Sequence, residues 1–176
     1  MSDDAHGDRT ASTGQQPVGD LTHVRPDGSA HMVDVTGKAE TSREAAAQAV
    51  LTTRPDVVAR LVDGTLPKGE ALGTARIAGI MAAKQTPALI PLCHPLPLGA
   101  ITVDFETEVG AEEASVTVVA RVRTRGVTGV EMEALTAATV AALTLFDMIK
   151  AVDHLAVIGD VKVLEKSGGK SGAWSR

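Results

Sequence analysis

GVTGVEMEALTAATVAALTLFDMIKA, residues 126–151, is the longest apolar segment of the chain and carries its charge at the two ends. At about 100° per residue, Leu135, Ala138, Ala142, Leu145, Phe146 and Ile149 share one helical face, while Val140 and Leu143 extend the apolar surface elsewhere. A helix apolar nearly all round belongs inside, so this stretch is read as the central helix. Glu131 and Glu133 occupy its first turn, where acidic groups complement the helix dipole by about 0.3–1 kcal/mol each. Asp147 and Lys150, three residues apart, lie on one side and can pair. Dipole complementation and an ordinary surface pair account for these charges in one reading. In the other they await partners or a ligand, because charge at the end of a buried helix needs one.

Composition narrows the class. A chain of 176 residues is most simply one domain with a sizeable core, since at about 150 residues roughly 70% of the unfolded surface is buried. Hydrophobic residues make up 44% of the chain but aromatics only 2%, so the core is built from Ala, Val, Leu and Ile. The net charge of −5 and the scarcity of aromatics speak against a nucleic-acid surface. A single cysteine, Cys93, rules out an internal disulfide and a multi-cysteine metal site, in keeping with a reducing cytoplasm. No charge-free apolar run of about 18 residues and no basic-then-apolar leader is seen, so neither membrane insertion nor export is expected.

Residues 1–20 hold almost no large apolar side chains and are expected to be a disordered tail, with a single domain over 21–176. Residues 21–40 read as an irregular lead-in containing His23, His31 and Asp34, whose spacing follows neither helical nor strand periodicity. TSREAAAQAVLTT, residues 41–53, is ambiguous: its alanines favour helix, its alternation fits a strand. Pro55 suits the first position of a helix that stops at Gly64. Gly64 to Gly69 is a loop presenting Lys68 between Pro67 and Gly69. Glu70 to Thr86 reads as a helix with the small-residue stripe Ala71, Ala75, Ala78 and Ala82, able to lie close to a neighbour and ended by Pro87. Three prolines then fix an extended Ile90–Pro97 around Cys93 and His94. Adjacent residues in extended chain face opposite ways, so these two do not form a nucleophile and base together.

Ala100 to Val109 alternates, with Ile101, Val103, Phe105 and Val109 on the inner face. Val116, Val118, Ala120 and Val122 repeat the pattern after a turn. The two strands form a hairpin whose acidic and basic outer faces can pair across strands. Leu155 to Leu164 gives a last strand with Val161 and Val163 inward. Gly169-Lys170-Ser171 is not a P-loop, because Leu164 stands where that motif needs its first glycine. Chemistry therefore rests on dispersed groups. Lys68, His94, Lys150, Lys166 and Lys170 supply cations, and Glu131, Glu133 and Asp147 supply carboxylates. In an acidic protein such a set suits a polyphosphate, with lysines meeting phosphate oxygens and carboxylates moving protons.

The strings HMVDVTGKAETSREA (31–45), LPKGEALGTARIAGIMAAKQT (66–86), IPLCHPLPL (90–98), TGVEMEALTAATVAALTLFDMIKAV (128–152) and KSGGKSG (166–172) together resemble the MoaC family, the cyclic pyranopterin monophosphate synthases of molybdenum-cofactor biosynthesis. The resemblance implies a ferredoxin-like α+β fold with helices on one face of an antiparallel sheet, and it favours a strand at 41–53. It also implies a homohexamer, a trimer of dimers with sites at dimer interfaces. The substrate would be 3′,8-cyclo-7,8-dihydroguanosine triphosphate, converted with release of diphosphate and without a cofactor or a protein-bound metal. By motif, Asp147 matches the family's catalytic aspartate, Lys68 its loop lysine, and Lys150 and Lys166 further active-site lysines. Leu92, Cys93, His94, Met132 and Glu133 match substrate-binding positions, Glu131 lies beside them, and Lys170 joins the set as a further cation. A non-catalytic nucleotide- or phosphate-binding oligomer, and a metal-dependent phosphohydrolase using His23, His31, Asp34 or His94, are the competing expectations.

Overall fold

The computed structural model describes residues 23–169 and 172–176; the expected tail and Lys170 fall outside them. The described residues divide into two compact units, the first ending at residue 33 and the second beginning at residue 34. Within the first, Val24 and Ala30 form an isolated antiparallel bridge. The turn between them is closed by the Asp27 carboxylate, which accepts from the Ser29 amide at 2.9 Å and the Ser29 hydroxyl at 2.7 Å.

The second unit contains β1 (Thr41–Thr53), α1 (Pro55–Val62), α2 (Ala71–Lys84), α3 (Thr86–Leu89), β2 (Leu98–Val109), β3 (Ala114–Gly126), α4 (Glu131–Ile149), β4 (Val157–Ser167) and β5 (Trp174–Ser175). The sheet order is β2-β3-β1-β4-β5, and every neighbouring pair is antiparallel. Apart from β5 this is a doubled β-α-β with each third strand inserted between the first two, the ferredoxin-like α+β arrangement.

Segment 41–53 is the central strand despite its alanines. Ala45, Ala47, Ala49 and Leu51 stand opposite Val122, Ala120, Val118 and Val116 of β3, and all eight are buried in the core beneath the helices. Methyl groups on β1 let α4 lie close to the sheet, so the strand-pairing partners decide what local propensity leaves open. Ala46 faces the other way yet is also fully buried. It lies opposite both Arg121 and Glu165, and their ion pair runs over it.

The 126–151 segment forms α4 as expected, packed on β1 and against α2. Its length and apolarity would also suit a membrane crossing. Here its small face, Ala134, Ala137, Ala138, Ala141 and Ala142, lies buried in the core. The α2 stripe runs through Ala71, Ala75, Gly79, Ala82 and Ala83. A Cβ on Gly79 would stand 2.9 Å from the Ala137 carbonyl oxygen, which marks how closely the two helices approach.

Several expectations need correction. Pro87 does not end α2; that helix stops at Lys84, and Pro87 lies in the first turn of α3. Residues 90–97 are not extended throughout, because the Cys93 amide donates to the Ile90 carbonyl at 3.1 Å and closes a turn. Val109 is 63% exposed, where β2 reaches its turn. Val161 is 45% exposed, because the β1–β4 register slips between Gln48 and Val50. There Asp160 takes φ of +45° and accepts from the Gln48 amide group at 2.7 Å. An extra residue in a strand reverses the faces beyond it. The outer-face arginines pair away from β2: Arg121 with Glu165 of β4, and Arg123 with Glu44 of β1 at 3.0 Å.

Candidate active site

α4 carries a charged cluster at each end. At its C-terminal end, the Asp147 carboxylate receives two ammonium groups, Lys68 at 2.5 Å and Lys150 at 2.8 Å. Lys68 also donates to the Asp147 carbonyl at 2.9 Å. Lys150 arrives by the helical i, i+3 relation, as its spacing predicts. Lys68 arrives from a loop that the sequence stiffens. Leu66 is buried beneath that loop, Pro67 fixes one side, and Gly69 at φ +84° turns the chain while its amide bonds to the Leu66 carbonyl. Glu70 then caps α2 by accepting from the Gly73 amide. The hydrogen bonds from Lys150 and Lys68 hold the Asp147 carboxyl down to about 2. Asp147 therefore rests as a carboxylate, and a proton given to a substrate here comes from an ammonium.

The other cluster lies at the N-terminal end. Lys166, from β4, meets the Glu131 carboxylate at 2.9 Å. A cleft of about 310 Å³ opens beside them, lined also by Lys38, Arg43, Thr128 and Gly168. Arg43 is held by its own bond to the Gly126 carbonyl at 2.8 Å. Only glycine fits at 168, where φ is +89° and a Cβ would stand 2.2 Å from the Ser42 carbonyl oxygen. Lys38, Arg43 and Lys166 bring three cationic side chains to one cleft beside the single carboxylate of Glu131, an arrangement chemically suited to an anion. Lys38 and Arg43 escape a sequence reading, since only the pairing of Glu44 with Ser167 and Ala45 with Lys166 brings β1 alongside Lys166.

Glu133, in the first turn of α4, is 3% exposed. Burial pushes its carboxyl upward, Glu131 adds to the rise, and a backbone N–H partly offsets it. Burial also pushes the Cys93 thiol up, and Glu133 pushes it further, so Cys93 stays a thiol suited to contact and not to nucleophilic attack. Leu92 and Met132 are 38% and 37% exposed, available to meet a ligand. His94 lies half-buried in the segment between α3 and β2. Asp34 is occupied in closing its own turn, accepting from the Thr36 amide at 2.9 Å and hydroxyl at 2.7 Å.

Glu133 yields a stability prediction. Its folded value is raised, so the stability linked to it is full below the usual value near 4.5 and is lost as pH rises through the higher folded value. Glu133→Gln should remove that loss and raise stability at pH 7 by roughly 1–3 kcal/mol, the scale of an incompletely compensated buried polar group. Urea unfolding of both proteins at pH 4.5 and pH 7 checks it; a variant no more stable than the parent at pH 7 would count against a strained Glu133.

The structure thus separates the expected site residues. Lys68, Asp147 and Lys150 converge, and Glu131 and Lys166 converge, but sixteen residues of helix, about 24 Å at 1.5 Å each, divide Glu131 from Asp147.

The sequence profile of the MoaC family matches residues 32–169. The cyclic pyranopterin monophosphate synthase of Corynebacterium efficiens is 66% identical over 158 residues, covering 90% of this chain and 99% of that protein. The Corynebacterium glutamicum protein of the same name is 65% identical over 159 residues, with 90% and 99% covered. Cyclic pyranopterin monophosphate synthase 2 of Mycobacterium tuberculosis is 54% identical over 168 residues, with 96% and 98% covered.

Proposed function

Since the chain belongs to the MoaC family, we propose that it carries out the cyclic pyranopterin monophosphate synthase reaction of molybdenum-cofactor biosynthesis. It is an enzyme acting on a small GTP-derived molecule, and the reaction class is that of a diphosphate-releasing lyase working in the cytoplasm. The observation that carries this reading is the Asp147 carboxylate held between Lys68 and Lys150 at one end of a buried helix, with an anion cleft at the other.

The substrate is 3′,8-cyclo-7,8-dihydroguanosine triphosphate. Rearranging its ring requires protons to leave and arrive at defined atoms, and Lys68 and Asp147 exchange them. Asp147 at about 2 is a weak base while both lysines hold it, so a substrate group that draws Lys68 away also makes Asp147 a better acceptor. Forming the cyclic phosphate places a substrate hydroxyl oxygen on the α-phosphorus as that hydroxyl gives up its proton to solvent. The bond from that phosphorus to the bridging oxygen breaks, and diphosphate leaves with the electron pair. Lys38, Arg43, Lys150, Lys166 and His94 neutralise the charge that develops. Glu133, Cys93, Leu92 and Met132 contact the ring.

A distance of about 24 Å between the clusters exceeds what one substrate of this size bridges. The complete site therefore joins the Asp147 end of one copy to the Lys166 end of another, which a two-fold dimer does twice. Three such dimers make the homohexamer.

Diphosphate release from the enzymatically prepared substrate, with oxidation of the product to a fluorescent pterin, tests the reaction. Both signals should appear with the parent protein and fall at least about 100-fold in Lys68→Ala, the scale of a lost proton-transfer group. A folded oligomer that binds the substrate and releases no diphosphate would leave a binding module in its place.

A further inference from the structure

β5 is only two residues long, yet it is anchored on a weak point of β4. The β1–β4 ladder pairs Ala46 with Glu165 and Ala47 with Val163, so Leu164 has no partner in β1. The Arg176 amide donates to the Leu164 carbonyl at 2.9 Å, and the Arg176 side chain donates to the Val163 carbonyl at 2.8 Å. Ser175 and Trp174 pair with Glu165 and Lys166. The Arg176 guanidinium lies 6.0 Å from the centre of the Trp174 ring. β5 thus restores from outside what the bulge removes from inside.

Residues paired across an antiparallel ladder project to the same face, so the Trp174 ring and the Lys166 stem stand side by side. Both line a cleft of about 430 Å³ that adjoins the anion cleft, with Lys166 and Ser167 common to the two. Lys166 is the only lysine on the anion cleft that comes from β4, and its ammonium must hold its place against Glu131 at 2.9 Å. A bulge two residues before it would let the end of the strand twist.

We propose that Trp174 and Arg176 are positioning residues for the synthase reaction: β5 braces the bulged end of β4 and so fixes Lys166 at the phosphate-binding cleft. The proposal rests on the reaction argued above, and it concerns binding of the phosphates, not the proton transfers at Asp147. A brace that only covered a sheet edge would change stability and leave ligand affinity alone.

The test compares the parent with deletion of 174–176, with Trp174→Ala, with Trp174→Phe and with Lys166→Ala. Two readouts are taken: affinity for inorganic tripolyphosphate by calorimetry, and KM and kcat for diphosphate release. If loss of the brace leaves Lys166 in place a tenth of the time, affinity falls and KM rises about tenfold while kcat stays within about twofold. Trp174→Ala should behave as the deletion does, and Trp174→Phe should restore most of the affinity because a ring still flanks the lysine stem. Lys166→Ala should lose at least as much affinity as the deletion. Circular dichroism and oligomer size establish that each variant is folded. Parent-like tripolyphosphate affinity in the folded deletion, alongside weakened binding in Lys166→Ala, would overturn the brace and leave the reaction standing. No diphosphate release by the parent, alongside loss of tripolyphosphate affinity in the deletion, would overturn the reaction and keep the brace.

Discussion

Asp147→Asn should fold, assemble and bind, yet release diphosphate about 10²–10⁴-fold more slowly, the range that a positioned proton-transfer group supplies. The side chain is exposed and keeps its shape as Asn, so the packing of α4 does not change. What changes is charge. Two ammonium groups now held at 2.5 and 2.8 Å face a neutral amide and repel one another. Acid unfolding supplies a separate check. Because the folded carboxyl is depressed to about 2, its contribution to stability is present above the ordinary carboxylate value and is lost as pH falls through the folded one. The parent should therefore lose stability between about pH 4 and pH 2 more steeply than Asp147→Asn. Parent-like turnover in the variant would remove Asp147 from the chemistry and leave it a structural partner for two lysines.

Gly79→Val should cost about 3 kcal/mol or more, the upper range for overpacking a core. The first added carbon would stand 2.9 Å from the Ala137 carbonyl oxygen, 3.1 Å from the Ala141 methyl and 3.2 Å from a Val103 methyl. All three belong to elements that meet there, α4 and β2, so none can yield without moving the sheet or the helix that carries both charged clusters. At an open helical position replacing glycine would stabilise by up to about 1 kcal/mol, so the sign itself is informative. For a domain of this size the melting temperature should drop by roughly 6–12 °C. A variant that melts with the parent would mean that α2 and α4 do not approach as closely as described.

The central helix, the hairpin and the Pro55 helix were legible because one-dimensional periodicity carries them. The motif resemblance carried further, to the sheet arrangement and to strand β1, whose alanines are silent on their own. Lost to the sequence were features set by pairing. The slips of register at Leu164 and Asp160, which turn Val161 outward, depend on which strand lies alongside. The partners of Arg121 and Arg123 lie 44 and 79 residues away. Site residues divided in the same manner. Lys150 beside Asp147 follows from helical spacing, and the Pro67-Lys68-Gly69 loop marks Lys68. Lys38 and Arg43 reach the anion cleft only through long-range strand pairing, and the separation of the two clusters follows from the length of α4.

That separation makes mixing of two impaired variants the most direct measurement. Asp147→Asn, slow in turnover, and Lys166→Ala, weak in binding, would be combined under mild denaturant, allowed to exchange copies, and assayed for diphosphate release at substrate well below the parent's KM. If a site takes Asp147 from one copy and Lys166 from another, every mixed dimer holds one intact site and one doubly damaged site. Half the dimers are mixed after random exchange, so activity should recover to about a quarter of the parent's. If exchange is complete by mass spectrometry and no activity returns, both clusters serve a site within one copy, and the two-copy site is wrong.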